Sequence, residues 1–469
     1  MVFASLIFLY LFLPLNLILY FIMPKGKARN AVLILFSLIF YAWGEPIWVF
    51  LLILTAFSDY IHAKSIEKHL GTARAKFSLT LSVLTDIGIF IVFKYSGFII
   101  SNINTLTGLS LYVPQFRLPI GISFYTFQTL TYVIDVYRGK QTSQKSFFKY
   151  LLYLSMYFQL VAGPIVRYGD VAESIEQRNE TLNKFSHGIY RFTLGLSKKV
   201  IIANAAGVFA DKYMNADAGT LSCAAAWFGI IMYTVQLYFD FSGYSDMAIG
   251  LGHMFGFKFP ENFNYPYISK SVSEFWRRWH ITLGSFFRDY VYIPLGGNRS
   301  HVYRNLFIVW FLTGFWHGAS WNFIIWGLYN GLFIMLERLT KPVFEKIPSF
   351  FRHIYLLIIV NVGFVFFRFS SFYGAADYLK VMFSGTSTLY DMQTGFEILN
   401  NIFWIAAAFL FCTPVIKYIE KLYRKMCVSG TVLSLFAGIS RLVLIFTLLF
   451  VCTCHLAGNS FNPFLYFQF

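Results

Sequence analysis

Two histidines stand out in a chain that is otherwise nearly as apolar as lipid. His280 lies within Ser271 to Arg299, SVSEFWRRWHITLGSFFRDYVYIPLGGNR, and His317 within Gly314-Phe315-Trp316-His317-Gly318. A neutral imidazole, with an ordinary pKa of about 6.5, can take a proton from a hydroxyl and return it elsewhere. Polar side chains inside a membrane are rare and usually line a cavity, so an intramembrane histidine is a functional candidate by default. The bland alternative is a packed ring donating one hydrogen bond.

The elements that must position these rings can be read from local pattern. Ser271 and Glu274 match a capping box, which predicts a helix starting there. At about 100° per residue, Phe275, Trp276, Trp279, Leu283, Phe286, Phe287 and Tyr290 share one face, with Arg277, Arg278, Arg288 and Asp289 opposite. Such a helix lies along the membrane interface, with His280 at the margin of its apolar face, looking into the protein. Asn305 to Trp316 is apolar but only about 18 Å long at 1.5 Å per residue, too short to cross a hydrocarbon core of about 30 Å. Gly318-Ala319-Ser320 then breaks the pattern before Trp321 to Leu336 returns. The expectation is a helical hairpin with His317 near its tip.

Composition fixes the setting. The 469 residues are 57% hydrophobic and 13% charged, against about 25% charged in ordinary soluble chains. Apolar runs long enough to span a bilayer recur throughout, which predicts an all-α polytopic membrane protein of about eleven spans plus interfacial and re-entrant helices. It reads as one domain, 1–469. The first run, Met1 to Met23, has no basic segment before it and reads as a retained helix rather than a signal peptide. The net charge of +16 is scattered among short loops, which points to the positive-inside rule and not to nucleic acid. Pro24 to Asn30, Lys64 to Lys76, Arg138 to Lys149, Arg299 with Arg304, Arg338 to Arg352 and Lys417 to Lys425 read as cytoplasmic, and Ser96 to Pro119 as external. Between Pro164 and Pro260 the alternation is interrupted by Arg191, Lys198 and Lys199.

Other chemistries find little support. The five cysteines are too dispersed for a disulfide framework, and Cys452-x-Cys454-His455 closes an apolar helix without further metal ligands. No G-x-S-x-G elbow or H-E-x-x-H motif occurs. Gly250-Leu251-Gly252-His253-Met254-Phe255-Gly256 is misspaced for a dinucleotide fingerprint and reads as helix packing. Asp240, Ser242, Tyr244, Ser245 and Asp246 form a polar group in an apolar run, read first as a network fixing helix register and second as a tunnel lining. Arg277 and Arg278 could meet phosphates or simply lipid headgroups. The long connections Tyr168 to His187 and Ser370 to Asn400 are candidates for partner contact.

Tyr238-Phe239-Asp240-Phe241-Ser242-Gly243-Tyr244-Ser245-Asp246, then Phe275 to His280, then Arg288-Asp289-Tyr290 leading to Pro294-Leu295-Gly296-Gly297-Asn298-Arg299, then Gly314 to Gly318, resemble the membrane-bound O-acyltransferase family. The resemblance is to its bacterial alginate O-acetyltransferase membrane-subunit branch and runs to the terminal Phe464 to Phe469. It implies His317 as catalytic base and His280 as a second catalytic residue that orients a substrate or relays the proton. Trp276, Trp316, Arg277, Arg278, Asp240, Asp246 and Asn322 are expected to bind substrate or donor. It further implies acetyl-CoA or another acyl thioester as donor substrate, no bound cofactor or metal, and an exported glycan as acceptor. A periplasmic acetyltransferase partner and the bacterial inner membrane follow from the same likeness. A D-alanyl transferase of the same fold and a passive channel or transporter are the alternatives.

Overall fold

The computed structural model describes residues 1–160, 163–384, 388–428 and 431–458, and every regular element among them is helical. The terminal Phe464 to Phe469 lies outside the described residues. The chain that reads as one domain is built of two compact units, Met1–Phe192 with Tyr244–Glu261, and Thr193–Gly243 with Asn262–Phe469.

The first unit contains α1 (Leu13–Ile22), α2 (Lys27–Gly44), α3 (Trp48–Lys68), α4 (Ala73–Thr107), α5 (Ile122–Tyr137), α6 (Phe147–Ser155) and α7 (Tyr168–Glu176). Helices α3, α4 and α5 pack on one another. Phe50, Leu54, Phe77 and Leu84 are left exposed, an apolar surface suited to acyl chains rather than water. Their inner faces are joined by hydroxyl-to-carboxylate bonds, Ser82 Oγ to Asp59 at 2.7 Å and Thr129 Oγ1 to Asp86 at 2.8 Å. Helix α5 starts from Gly121, whose φ is +80° and where a Cβ would lie 2.6 Å from the Leu160 carbonyl oxygen. Only glycine meets both demands.

Helix α8 (Leu182–Ser197) runs through a π-helical turn at Lys198–Ala203 into α9 (Asn204–Met214), and α10 (Cys223–Met254) is buried along nearly its whole length. These helices explain the interrupted charge pattern. Arg191 donates to Asp246 at 2.6 and 2.9 Å and to Glu261 at 2.7 Å, while Lys199 pairs with Asp240 at 2.7 Å. Charges this deep persist only when paired.

The second unit continues with α11 (Val272–Arg278), α12 (Ile281–Phe287), α13 (Val302–His317), α14 (Trp321–Leu339), α15 (Ser349–Arg368), α16 (Phe372–Ser384), α17 (Met392–Asn400), α18 (Ile402–Phe411), α19 (Val415–Val428) and α20 (Thr431–Gly458). Among the described residues, five helices are long and apolar enough to cross a membrane, or six if α17 and α18, bent by 67°, count as one span. The expected eleven is therefore not what length and composition support. Several apolar runs fold into shorter helices, Phe8–Ile22 among them. Both long polar connections also contain helices. Helix α7 buries Tyr168, Val171 and Ile175 on one face, and the Asp391 carboxylate caps α17 by accepting from the Thr394 amide at 2.8 Å. Cys452 is buried against Ser197 in α20, and Cys454 is exposed.

Candidate active site

The expected cap is present: Ser271 Oγ accepts the Glu274 amide at 3.0 Å. The Glu274 carboxylate, however, reaches back to the amide of Lys270 rather than to that of Ser271, also at 3.0 Å. The single amphipathic helix expected from Ser271 onward is instead broken. Helix α11 stops at Arg278, Trp279 is extended, and His280 has φ 46° and ψ 53°, in the left-handed region. That conformation costs a non-glycine residue of order 1 kcal/mol and needs support from its surroundings. Backbone pairing supplies it: the Asn264 amide donates to the Arg278 carbonyl and the Ile281 amide to the Asn262 carbonyl, both at 2.9 Å. The apolar face survives the break, because Phe275, Trp279, Leu283, Phe286 and Phe287 remain buried while Arg277 and Arg288 are exposed.

His280 is 2% exposed, and its Nδ1 lies 3.2 Å from Asn262 Oδ1. The same oxygen accepts from the Thr282 amide at 3.2 Å and the Thr282 hydroxyl at 2.9 Å. Asn262 Oδ1 is thus an acceptor throughout, which assigns the ring proton to Nδ1 and the lone pair to Nε2. His280 lies outside the membrane-spanning segments, and burial pushes its pKa down to about 3. It is a neutral imidazole.

His317 is the last residue of α13, and α13 and α14 form the expected hairpin, with Gly318 to Ser320 as the tip. At 16 residues, α13 is about 24 Å long, short of the hydrocarbon core. The helices touch backbone to backbone. A Cβ on Gly314 would lie 2.3 Å from the Phe323 carbonyl oxygen, and one on Gly327 would lie 2.4 Å from that of Trp310. The His317 ring is held edge-on by aromatic neighbours, with centroids 4.7 Å from Trp316, 4.8 Å from Trp326 and 5.3 Å from Phe367. Trp316 also meets His280 at 6.1 Å. Both histidines therefore contact one tryptophan.

Two hollows adjoin. A cavity of about 160 Å³ is lined by His280 together with Trp276, Trp279, Phe287 and Trp310. A cleft of about 670 Å³ is lined by Arg277, Arg338, Lys341 and Arg352, with Glu337 and Glu345 among them. Leu306 borders both. The three basic residues of the cleft on α14, α15 and the turn between them belong to the segment that the charge pattern assigns to the cytoplasm. The PLGGNR loop braces this end: Asn298 Oδ1 accepts from Arg338 at 3.0 Å and from the Tyr292 hydroxyl at 2.9 Å.

The remaining expected residues divide. Trp276 faces the cavity and donates from Nε1 to Asn330 Oδ1 at 3.1 Å, and Arg277 opens onto the cleft. Arg278 instead pairs with Glu274 at 2.9 Å and braces the Asn264 carbonyl. Asn322 donates to the Phe369 carbonyl at 2.6 Å, tying α14 to the end of α15. Asp240 and Asp246 hold their own ion pairs and line neither hollow. Sequence reading missed Asn262, Asn330 and Glu337. Glu337 accepts from the amides of Val272 and Ser273, at 2.6 and 3.0 Å, so a carboxylate on α14 caps the start of α11. An isolated amide and a lone acid in an apolar run were the available signals.

Two buried histidines on one tryptophan, in a chain whose described residues include five or six helices able to cross a membrane, suit a membrane-embedded transferase. Residues 47–376 match the model of the membrane-bound O-acyltransferase family, and the chain belongs to that family. It is 42% identical to a protein of Azotobacter vinelandii named probable alginate O-acetylase, over 84% of this chain and 80% of that one. It is 38% identical to the protein of the same name from Pseudomonas putida, over the full length of both. To the peptidoglycan O-acetyltransferase of Helicobacter pylori it is 35% identical, over 86% of this chain and 84% of that one.

Proposed function

We propose that this protein is a membrane O-acetyltransferase that moves an acetyl group from a cytoplasmic thioester, acetyl-CoA, to hydroxyls of an exported polysaccharide in the bacterial inner membrane. The observation that carries the reading is the pair of histidines on one tryptophan, one of which, His280, lines an aromatic cavity adjoining a basic cleft. The names of the relatives support an acetyl donor and a glycan acceptor. The glycan receives the group directly or by way of a periplasmic acetyltransferase.

Arg277, Arg338, Lys341 and Arg352 offer the donor's phosphates their natural partners, because guanidinium forks match phosphate oxygens. The acyl end enters the aromatic cavity. His317 acts as the base that removes the acceptor hydroxyl's proton. Its place at a helix C-terminus suits it, because the partial negative charge there steadies the imidazolium that forms. The hydroxyl oxygen bonds to the acyl carbon, the carbon–sulfur bond breaks, and the proton passes from His317 to the departing thiolate. His280, held neutral, is a poor proton acceptor and serves to orient the reacting groups through Nε2.

The test is transfer of isotopically labelled acetyl from acetyl-CoA to the exported glycan, comparing wild type with His317→Ala at equal membrane insertion. Loss of about 10²-fold or more is expected for a missing general base. Unchanged acetylation in the variant would sink the assignment and favour a conducting role for the histidines. Labelling from a D-alanyl thioester in place of acetyl would move the reading to the D-alanyl transferases.

A further inference from the structure

Away from the histidines, the first unit holds two carboxylates that the acyl-transfer chemistry does not use. Asp59 of α3 and Asp86 of α4 are 0% and 2% exposed, and both lie in helices long and apolar enough to cross the membrane. They meet across the α3–α4 contact, because Ser82, which donates to Asp59, stands one turn before Asp86 on α4. Each is steadied on one oxygen only, Asp59 Oδ1 by Ser82 and Asp86 Oδ2 by Thr129. The other oxygen of each, Asp59 Oδ2 and Asp86 Oδ1, is buried without a hydrogen-bond partner.

A second observation is independent of the carboxylates. The Tyr150 hydroxyl on α6 is fully buried, has no hydrogen-bond partner, and lies within electrostatic reach of Asp59 and Asp86. The titratable neighbours from the packed helices are therefore Tyr125 and Tyr132 of α5 and Tyr150 of α6. Lys94, farther along α4, is directed to Ser123. Among the described residues, no lysine, arginine or histidine forms an ion pair with either carboxylate. Asp240, by contrast, is matched by Lys199.

Two unpaired negative charges side by side in a low-dielectric interior repel strongly and lack solvation. We propose that Asp59 and Asp86 form an intramembrane proton-binding site, with one proton held between their inward oxygens and the Tyr150 hydroxyl beside them. Polar groups continue from the site in both directions. Ser65 and Ser78 are bonded at 2.8 Å toward one end of α3, and Tyr125, Tyr41 and Glu45, the last paired with Arg117 at 3.5 Å, lead toward the other. The same helices that make this unit's core thus offer a proton a place to rest, with further polar groups on either side of it.

Infrared spectroscopy of the full chain in lipid nanodiscs tests the site without reference to acetyl transfer. A protonated-carboxyl carbonyl band should persist at neutral pH, shift in deuterium oxide, disappear on alkaline titration, and be lost in Asp59→Asn or Asp86→Asn. Where a variant does not insert, the wild-type spectrum still decides. Absence of that band at neutral pH overturns the proposal. So does its conversion to carboxylate bands when sodium replaces choline at fixed pH, because the occupant would then be a metal cation.

Discussion

His280 and His317 are both buried and both touch Trp316, yet the protein holds them by different means. His280 is pinned through a polar lock, in which one Asn262 oxygen faces its Nδ1 and two donors of Thr282 at a left-handed break. His317 rides at the end of a helix whose position is set by glycine-to-backbone contact, and its ring is caged by Trp316, Trp326 and Phe367. A hydrogen-bonded ring has a fixed tautomer and orientation. The His317 ring has three aromatic edges against it, so packing fixes its place as well. The roles proposed above, an orienting His280 and a proton-accepting His317, put this difference to use.

The contrast can be broken at several points. Replacing His317 by Ala should cost about 10² to 10⁴ in turnover with normal insertion, whereas His280→Gln should cost less and raise the KM for donor as well as lower kcat. Steady-state acetylation with purified variants separates the two. Next in size, Gly314→Val drives a side chain into the Phe323 carbonyl and should cost about 3 kcal/mol or more, read as lost folded protein in detergent. Gly284→Ala, where a Cβ would meet nothing nearer than 3.8 Å, should change thermal stability by about 0.5 kcal/mol or less. If both glycines tolerate substitution equally, the backbone contact is not what positions His317.

Removing the polar lock should be milder. Asn262→Ala leaves the Thr282 donors and the His280 ring without their acceptor, at a cost of about 1 to 3 kcal/mol, and its activity loss should resemble that of the His280 variant rather than that of His317→Ala. The last expected effect is a slope. The folded protein holds His280 neutral with its pKa pushed down to about 3, so below its ordinary pKa of about 6.5 the unfolded chain binds more protons and stability falls with pH. Between those values His280→Gln should lose stability less steeply than wild type in thermal melts. Identical slopes would show that the ring is not held neutral by the fold.

Much of this arrangement was legible in the residues. The Ser271 cap, the short apolar run before His317 and the break at Gly318 each follow from local rules, and they place the hairpin correctly. The break at His280 was not legible, because the apolar periodicity runs straight through it and the cause lies in the segment Asn262 to Asn264, which pairs with it through space. Asn262 itself stands in a stretch rich in polar and aromatic residues where one amide attracts no notice. Glu337 acts on α11 from another helix, a relation that no spacing encodes. Composition does not fix the number of spans for a related reason: an apolar run looks the same whether it meets lipid or protein, and α10 meets mostly protein.

The crossing of Gly314 and Gly327 has a mechanical consequence. With no layer of side chains between the two backbones, the hairpin behaves as a strut whose ends cannot move independently. Arg338 stands at one end, braced by Asn298, and His317 at the other. Whatever seats against Arg338 in the basic cleft bears on a stiff part, and its load reaches the His317 ring with little compliance to absorb it.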